Sequence, residues 1–137
     1  YEQEKQPHML ELASSYVEKL TGERYTLDIL GINKGVALIN NNGERLELKF
    51  WSSGLADQVY LSLRLALAKV FSYQVESLPI ILDDILVRFD ENRQRSALEL
   101  LAELGKNQQI WLFTCQRSVY DMAQSIMGID CHRLSRS

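Results

Sequence analysis

A short apolar segment that ends in two carboxylates constrains the fold of this chain more than any other feature. Residues 78–82 are continuously apolar, and Asp83 and Asp84 follow them directly. A continuous apolar run of this length is typical of a strand that is covered on both faces in a parallel sheet. The sequence therefore predicts a buried strand with two acids at its carboxyl end.

The pattern after this strand predicts a doubly wound α/β unit. Asp90 is suited to cap a following helix, and Gly105 to end it. The expected elements are a helix at about 91–104, a strand at 110–114, a helix at about 118–127 and a short strand at about 131–134. In units of this kind, ligands bind at the carboxyl ends of the strands.

The first half of the chain predicts a helix, a meander and a second helix. Apolar residues at three- and four-residue steps predict an amphipathic helix over about 7–20, which Gly22 ends. From Tyr25 the apolar residues recur at every second position, with turns at Gly31 and at 41–43. This period predicts three antiparallel strands, of which the third carries Leu46, Leu48 and Phe50.

A long apolar helix is expected from about Leu55 to Phe71. Its apolar residues do not share one stripe, so we expect it to be packed on most sides.

Composition limits the classes of function. The 137 residues fit one domain, 1–137, with 46% apolar content and a formal net charge of −3. No run of lysine and arginine occurs, so the chain offers no electrostatic footprint of its own for nucleic acid. No apolar run approaches the roughly 20 residues that cross a bilayer, and we therefore expect a cytoplasmic protein without a membrane contact.

Two local motifs each allow two interpretations. Asp83 and Asp84 are suited to hold hydrated Mg²⁺ and an attacking water, but a strand that ends in a solvated Asp-Asp turn explains them equally. Ser52, Ser53 and Gly54 precede the long helix, where backbone N–H groups and the positive helix end attract phosphate. An ordinary N-cap serine beside a glycine is the alternative.

The order of these motifs resembles that of the ATP-binding-cassette (ABC) ATPases. Residues 51–58 resemble the signature motif, and residues 80–84 resemble the Walker B strand. Phe89 and Asp90 resemble the D-loop, and Gln116 stands where the switch histidine normally lies. Trp51 and Leu55 depart from the usual signature residues while its serine and glycine remain.

From about Leu12 onward, the chain resembles the carboxyl-terminal half of the head in structural-maintenance-of-chromosomes (SMC) and double-strand-break-repair ATPases. The bacterial YhaN-like group of large AAA-type proteins is the most similar of these. The resemblance implies the carboxyl-terminal lobe of a P-loop NTPase, with a mostly parallel sheet flanked by helices and an amino-terminal antiparallel meander. In that family the head is built from both ends of a long protein, so residues 1–22 would continue from a coiled coil.

The family's phosphate loop, Walker A, lies on the amino-terminal lobe, and no such motif occurs in this sequence. Since that loop holds most of the triphosphate, we expect the isolated chain to bind ATP poorly and to be inactive as an ATPase.

The resemblance also implies roles for individual residues, with ATP and Mg²⁺ as the ligands. Asp83 would orient Mg²⁺ through water, Asp84 would polarise the attacking water, and Gln116 would act at the switch position. In a homodimer of heads, the implied nucleotide-binding residues are Ser52, Ser53, Gly54, Gln58 and Asp90. With glutamine in place of the switch histidine, hydrolysis is expected to be slow, although an amide still donates hydrogen bonds.

Two functions remain open from the sequence. The first is an ATPase lobe whose ATP-driven dimerisation is coupled to DNA repair or chromosome maintenance, with DNA contacted through the full-length protein. The second is an ATP-sensing dimerisation module with little or no hydrolysis.

Overall fold

The computed structural model describes residues 2–29, 35–72 and 79–133. The chain divides into two compact units, Tyr1–Ser77 and Leu78–Ser137. The expectation of one domain over 1–137 stays a prediction, and each unit is described by itself.

The first unit contains two helices and a three-stranded sheet. Its elements in chain order are α1 (Glu2–Leu20), β1 (Tyr25–Ile29), β2 (Val36–Asn40), β3 (Arg45–Glu47), a 3₁₀ turn (Leu48–Phe50) and α2 (Ser53–Ser72). Gly22 follows α1 with φ +65°, a left-handed conformation that glycine adopts at little cost and that ends the helix as predicted.

The three strands form the predicted antiparallel meander, and their register places the apolar residues together. Leu27 pairs with Leu38, and Leu38 pairs with Leu46. Helices α1 and α2 pack against each other, and α1 also contacts β1. The core of this unit is a cluster of buried residues from both helices and the sheet, namely Val17, Leu38, Leu55 and Val59, with Tyr25 packed against it.

One expectation for the first unit is wrong. The third strand ends at Glu47, and Leu48 and Phe50 lie in an exposed 3₁₀ turn. Their alternation matched a strand, but neither side chain is buried, so no apolar face favours sheet pairing there. Helix α2 is buried on most sides, as expected, and Tyr60, Leu67 and Phe71 are exposed along the remaining side. The predicted turn at Gly31 lies outside the described residues.

The second unit contains a parallel strand pair and two helices. Its elements are β4 (Ile80–Asp83), α3 (Glu91–Leu104), β5 (Ile110–Phe113) and α4 (Arg117–Gln124). Strands β4 and β5 pair in parallel, with Ile80 opposite Ile110 and Asp83 opposite Phe113. The predicted α/β class is therefore confirmed.

Among the described residues, the sheet of the second unit is covered on one face only. Leu82 is fully buried, whereas Ile81 is 55% exposed and Trp111 is 47% exposed. The expectation of a strand buried on both faces is therefore wrong for the described residues. An apolar run does not indicate which of its two faces the rest of the chain covers.

The last predicted strand is not present in its described part. Residues 131–133 are irregular, and Leu134 lies outside the described residues. Among the helices that the structure describes, none is both long enough and apolar enough to cross a membrane.

Candidate functional site

The two acids after β4 differ in their surroundings. Asp83 is exposed, whereas Asp84 is partly buried and adopts φ 53° in the left-handed region. The Asp84 N–H donates to the carbonyl oxygen of Phe113 at 2.7 Å, which fixes its backbone against the end of β5. Its Oδ1 is buried and has no hydrogen-bond partner among the described residues. A buried acceptor without a partner is costly, and such groups concentrate at functional sites.

Gln116 follows the neighbouring strand, at the same edge of the sheet as Asp84. The register that sets Asp83 opposite Phe113 brings the two following loops side by side. The Gln116 N–H donates to Thr114 Oγ1 at 3.1 Å, which holds the backbone just before α4. The parallel pairing of β4 and β5 therefore places Asp83, Asp84 and Gln116 at the same edge of the sheet, and their joint role in a site stays a prediction.

A buried residue that the sequence interpretation missed lies between these loops. Gln94 is 5% exposed, and its Nε2 donates to the carbonyl oxygen of Leu86 at 3.2 Å and to Gln116 Oε1 at 3.4 Å. The signal was available, because Gln94 precedes the inward-facing Ala97 and Leu98 by three and four residues on α3.

Asp90 caps helix α3, as predicted. Its side chain accepts from the Arg93 N–H at 2.8 Å, and the helix begins at the next residue. The side chain is exposed, and its Oδ2 lies 4.0 Å from Arg93 Nε in an ion pair. A role of Asp90 in a nucleotide contact stays a prediction.

In the first unit, Ser52 is the N-cap of α2. Its Oγ accepts from the Leu55 N–H at 3.1 Å, which leaves the hydroxyl proton available for donation. Ser52 and Ser53 are both exposed, whereas Gly54 is buried. The helix tip thus offers two hydroxyl groups to solvent, and a phosphate contact by Gly54 stays a prediction that its burial does not favour.

The Nε2 end of Gln58 has a structural role, whereas its Oε1 is buried without a hydrogen-bond partner among the described residues, and its contact with nucleotide stays a prediction. It is 1% exposed, and its Nε2 donates to the carbonyl oxygen of Leu20 at 2.7 Å. This hydrogen bond satisfies a carbonyl at the carboxyl end of α1, where helix carbonyls lack partners within the helix. Gln58 therefore stabilises the packing of α2 on α1.

The acids fit Mg²⁺ better than a metal held wholly by protein. Among the described residues, no group of three or more histidine, cysteine, aspartate or glutamate side chains is placed to hold a metal ion. Mg²⁺ usually keeps several waters and takes only one or two carboxylates, with phosphate oxygens completing its shell. Asp83, exposed at the end of β4, meets that requirement.

Comparison with known proteins gives both sequence and structural relatives. No family model matches the chain. The uncharacterised protein YhaN of Bacillus subtilis (strain 168) is 33% identical over 122 residues, which cover 87% of this chain. The chain spans only 12% of the length of YhaN.

Two solved structures have the same fold. The first comes from work on ATP-driven dimerisation and DNA-stimulated activation of SMC ATPases. It aligns with a TM-score of 0.71 at 16% identity, and the alignment covers 85% of this chain and 73% of that chain. The SMC head domain from Thermotoga maritima aligns with a TM-score of 0.67 at 19% identity, covering 85% of this chain and 40% of that chain. The predicted resemblance is thus confirmed: the chain is a sequence relative of YhaN and has the fold of the carboxyl-terminal part of an SMC head domain.

Proposed function

We propose that this chain is the carboxyl-terminal lobe of an SMC-like ATPase head, which binds and hydrolyses ATP between two copies of the head. The observation that carries the proposal is the pair of acids after β4. Asp83 is exposed, and the buried Oδ1 of Asp84 lacks a partner among the described residues. Two carboxylates with unused acceptors at the carboxyl end of a parallel strand suit a phosphoryl-transfer site.

The residues present fit ATP with Mg²⁺. Asp83 would hold the hydrated ion, which when bound neutralises charge on the phosphates. The carboxylate of Asp84, a residue that is only partly buried, would accept a hydrogen bond from the attacking water through the oxygen other than the buried Oδ1 and orient it. Gln116, at the same sheet edge, would donate from its amide to an oxygen of the terminal phosphate.

The amino-terminal end of α2, which carries Ser52 and Ser53, would act on the nucleotide of the opposing head. The exposed hydroxyl groups of Ser52 and Ser53 and the positive end of α2 suit an anionic phosphate. The capping bond of Ser52 leaves its proton free, so the same hydroxyl is able to cap the helix and donate to a ligand. Asp90 would lie in the loop that crosses the interface between the heads.

The proposal also includes an amino-terminal lobe and the coupling of the ATPase to DNA. An amino-terminal lobe carrying Walker A would supply the lysine and the backbone cradle for the triphosphate. The chain covers only 12% of YhaN, so the activity of a whole protein is inferred. Coupling to DNA repair or chromosome maintenance would run through other parts of the assembly, because this chain has a net charge of −3.

The test of hydrolysis uses the completed head, meaning this chain together with a lobe that carries the phosphate loop. Asp84→Asn should lower ATP turnover by about 100-fold, a typical contribution of a positioned general base. The ATP-bound dimer should live longer in the same variant. Asp121→Asn, which alters an exposed acid on α4, is the matched control and should keep normal turnover. Normal turnover in Asp84→Asn would contradict the proposed role, and ATP binding without turnover in the unaltered head would favour the sensing module.

Dimerisation has a separate test. Ser52→Arg places a bulky cation at the helix tip and should abolish ATP-dependent pairing of heads while the fold remains. Ser125→Arg, at the exposed end of α4, is the control for adding an arginine. Pairing that survives Ser52→Arg would contradict the signature assignment.

A further inference from the structure

We propose that Gln94 is a positioning residue that sets which end of the Gln116 amide faces the nucleotide. By holding the Gln116 oxygen inward, Gln94 would make Gln116 a hydrogen-bond donor to the terminal phosphate. The inference rests on the proposed function, and it extends that function to a residue that no sequence motif marks.

The first step concerns the orientation of Gln94 itself. Its side chain is 5% exposed, and its Nε2 lies 3.2 Å from the carbonyl oxygen of Leu86. A backbone carbonyl only accepts hydrogen bonds, so the end of the Gln94 amide that faces Leu86 must be the NH₂ group. Leu86 is itself 1% exposed, which makes this anchor a buried one.

The second step passes that orientation to Gln116. The NH₂ group of Gln94 has two protons, and the second is directed to Gln116 Oε1 at 3.4 Å. Because Gln94 presents a donor, Gln116 must present its oxygen, and its own NH₂ group is turned away from Gln94. Gln116 is only partly buried, and the proposal places its NH₂ group on the accessible side.

The third step is the chemistry of the ligand. Terminal phosphate oxygens at neutral pH accept hydrogen bonds, so only the NH₂ end of an amide is attractive to them. A free glutamine side chain rotates between two amide orientations, and one of these would set its oxygen against the anion. The partly buried hydrogen bond from Gln94 to Gln116 selects the attractive orientation before nucleotide arrives, which is a form of preorganisation.

Gln94 also connects the two loops that carry the predicted chemistry. Leu86 lies two residues after Asp84, and Gln116 follows β5. One buried amide therefore contacts both the loop of the attacking-water acid and the loop of the phosphate donor. A change at Gln94 is expected to act on turnover more than on the packing of the unit.

The decisive substitution is Gln94→Glu in the completed head. A carboxylate accepts but does not donate, so Glu at this position would draw the Gln116 NH₂ group inward and leave the Gln116 oxygen facing the phosphate. We expect kcat to fall about tenfold, as for the loss of one hydrogen bond to a charged group, and the preference for ATP over ADP to fall with it. Gln94→Met, which removes the donor without adding charge, should give a smaller fall in the same direction.

A double-mutant cycle separates positioning from other effects. In a Gln116→Leu background there is no amide to orient, so Gln94→Glu should cause little further loss of kcat. Repulsion between the new carboxylate and the phosphates, or general damage to the fold, would persist in that background. Gln108→Glu, at another buried glutamine of the same unit, is the control for placing a carboxyl group in the interior.

The outcomes distinguish this inference from the proposed function. A completed head that neither binds nor hydrolyses ATP would overturn the proposed function and this inference with it. A head that binds ATP, with the kcat and ATP preference of Gln94→Glu and Gln94→Met unchanged, would overturn only the positioning role. Losses that are fully additive with Gln116→Leu would do the same. Non-additive losses, with Gln108→Glu retaining the ATP preference, would support it.

Discussion

Asp84→Asn should make the second unit more stable, although it is expected to slow ATP turnover. In the unaltered chain, a carboxylate oxygen of Asp84 is buried without a hydrogen-bond partner among the described residues. The side chain has little freedom to escape, because the Asp84 N–H is held by the carbonyl oxygen of Phe113 at 2.7 Å. Asparagine tolerates the left-handed φ of 53° and removes the charge.

The magnitude follows from the cost of the unpaired oxygen. A buried polar group without a partner costs about 1–3 kcal/mol, and more when it is charged. Asparagine keeps one oxygen in the same place, so only part of that cost is recovered, and we expect about 1 kcal/mol of added stability. With a urea m-value of about 2 kcal/mol/M, the unfolding midpoint should rise by about 0.5 M.

The fluorescence of Trp111 provides the assay. The chain has two tryptophans, Trp51 and Trp111, so Trp51→Phe leaves a single reporter on β5 in the second unit. Urea unfolding of this background is then compared with and without Asp84→Asn.

The adjacent acid supplies the matched control. Asp83 is exposed, so Asp83→Asn should change stability by no more than about 0.5 kcal/mol. An unfolding midpoint that stays constant or falls in Asp84→Asn, or that rises equally in both variants, would refute the reasoning from the unpaired oxygen.

Two further substitutions test assignments made from single hydrogen bonds. Gln58→Leu removes the donor of the buried Leu20 carbonyl oxygen, but it also removes the unpartnered Oε1 of Gln58, so we expect the free energy of unfolding to fall by about 1 kcal/mol, the low end of the cost of an unpaired buried group. The KM for ATP of the completed head should stay unchanged, and a raised KM in a folded variant would support Gln58 as a nucleotide contact. Asp90→Ala should lower the free energy of unfolding by about 1 kcal/mol through loss of the α3 N-cap, whereas Asp90→Asn, whose side chain still caps the helix, should change it little. Equal unfolding midpoints for the two variants would argue against the cap.

Features set by local chemistry were predictable from the sequence. Gly22 ends α1, and Asp90 caps the start of α3. Each of these residues acts within one helical turn, so its effect is readable from the local sequence. The apolar runs that form β4 and β5 were also recognisable, and their parallel pairing explains why Asp84 and Gln116 share one edge.

Features set by tertiary packing were not predictable in the same way. The alternation of Leu46, Leu48 and Phe50 is compatible with a strand or with an exposed turn, and burial decides between them. The exposure of Trp111 depends on what covers β5.

The two glutamines show where motif-based assignment and periodicity disagree. Gln58 stands three residues after Leu55 and four before Ser62, both of which are buried on the inward side of α2. The period thus placed Gln58 inside, although the resemblance to a signature motif placed it at a ligand. Gln94 carried the same periodic signal on α3 and belonged to no motif.

The half-open sheet of the second unit affects how the chain behaves during synthesis. A two-stranded sheet is seldom stable alone. Because helix α3 separates β4 from β5 in the chain, we expect the two strands to pair only after both strands and the helix have been synthesised. Before the strands pair, their apolar side chains are accessible to other newly made chains. After pairing, the face that carries Ile81 and Trp111 remains accessible. Recombinant yield should therefore rise with chaperone supply and at lower growth temperature, and Ile81→Thr should reduce inclusion bodies.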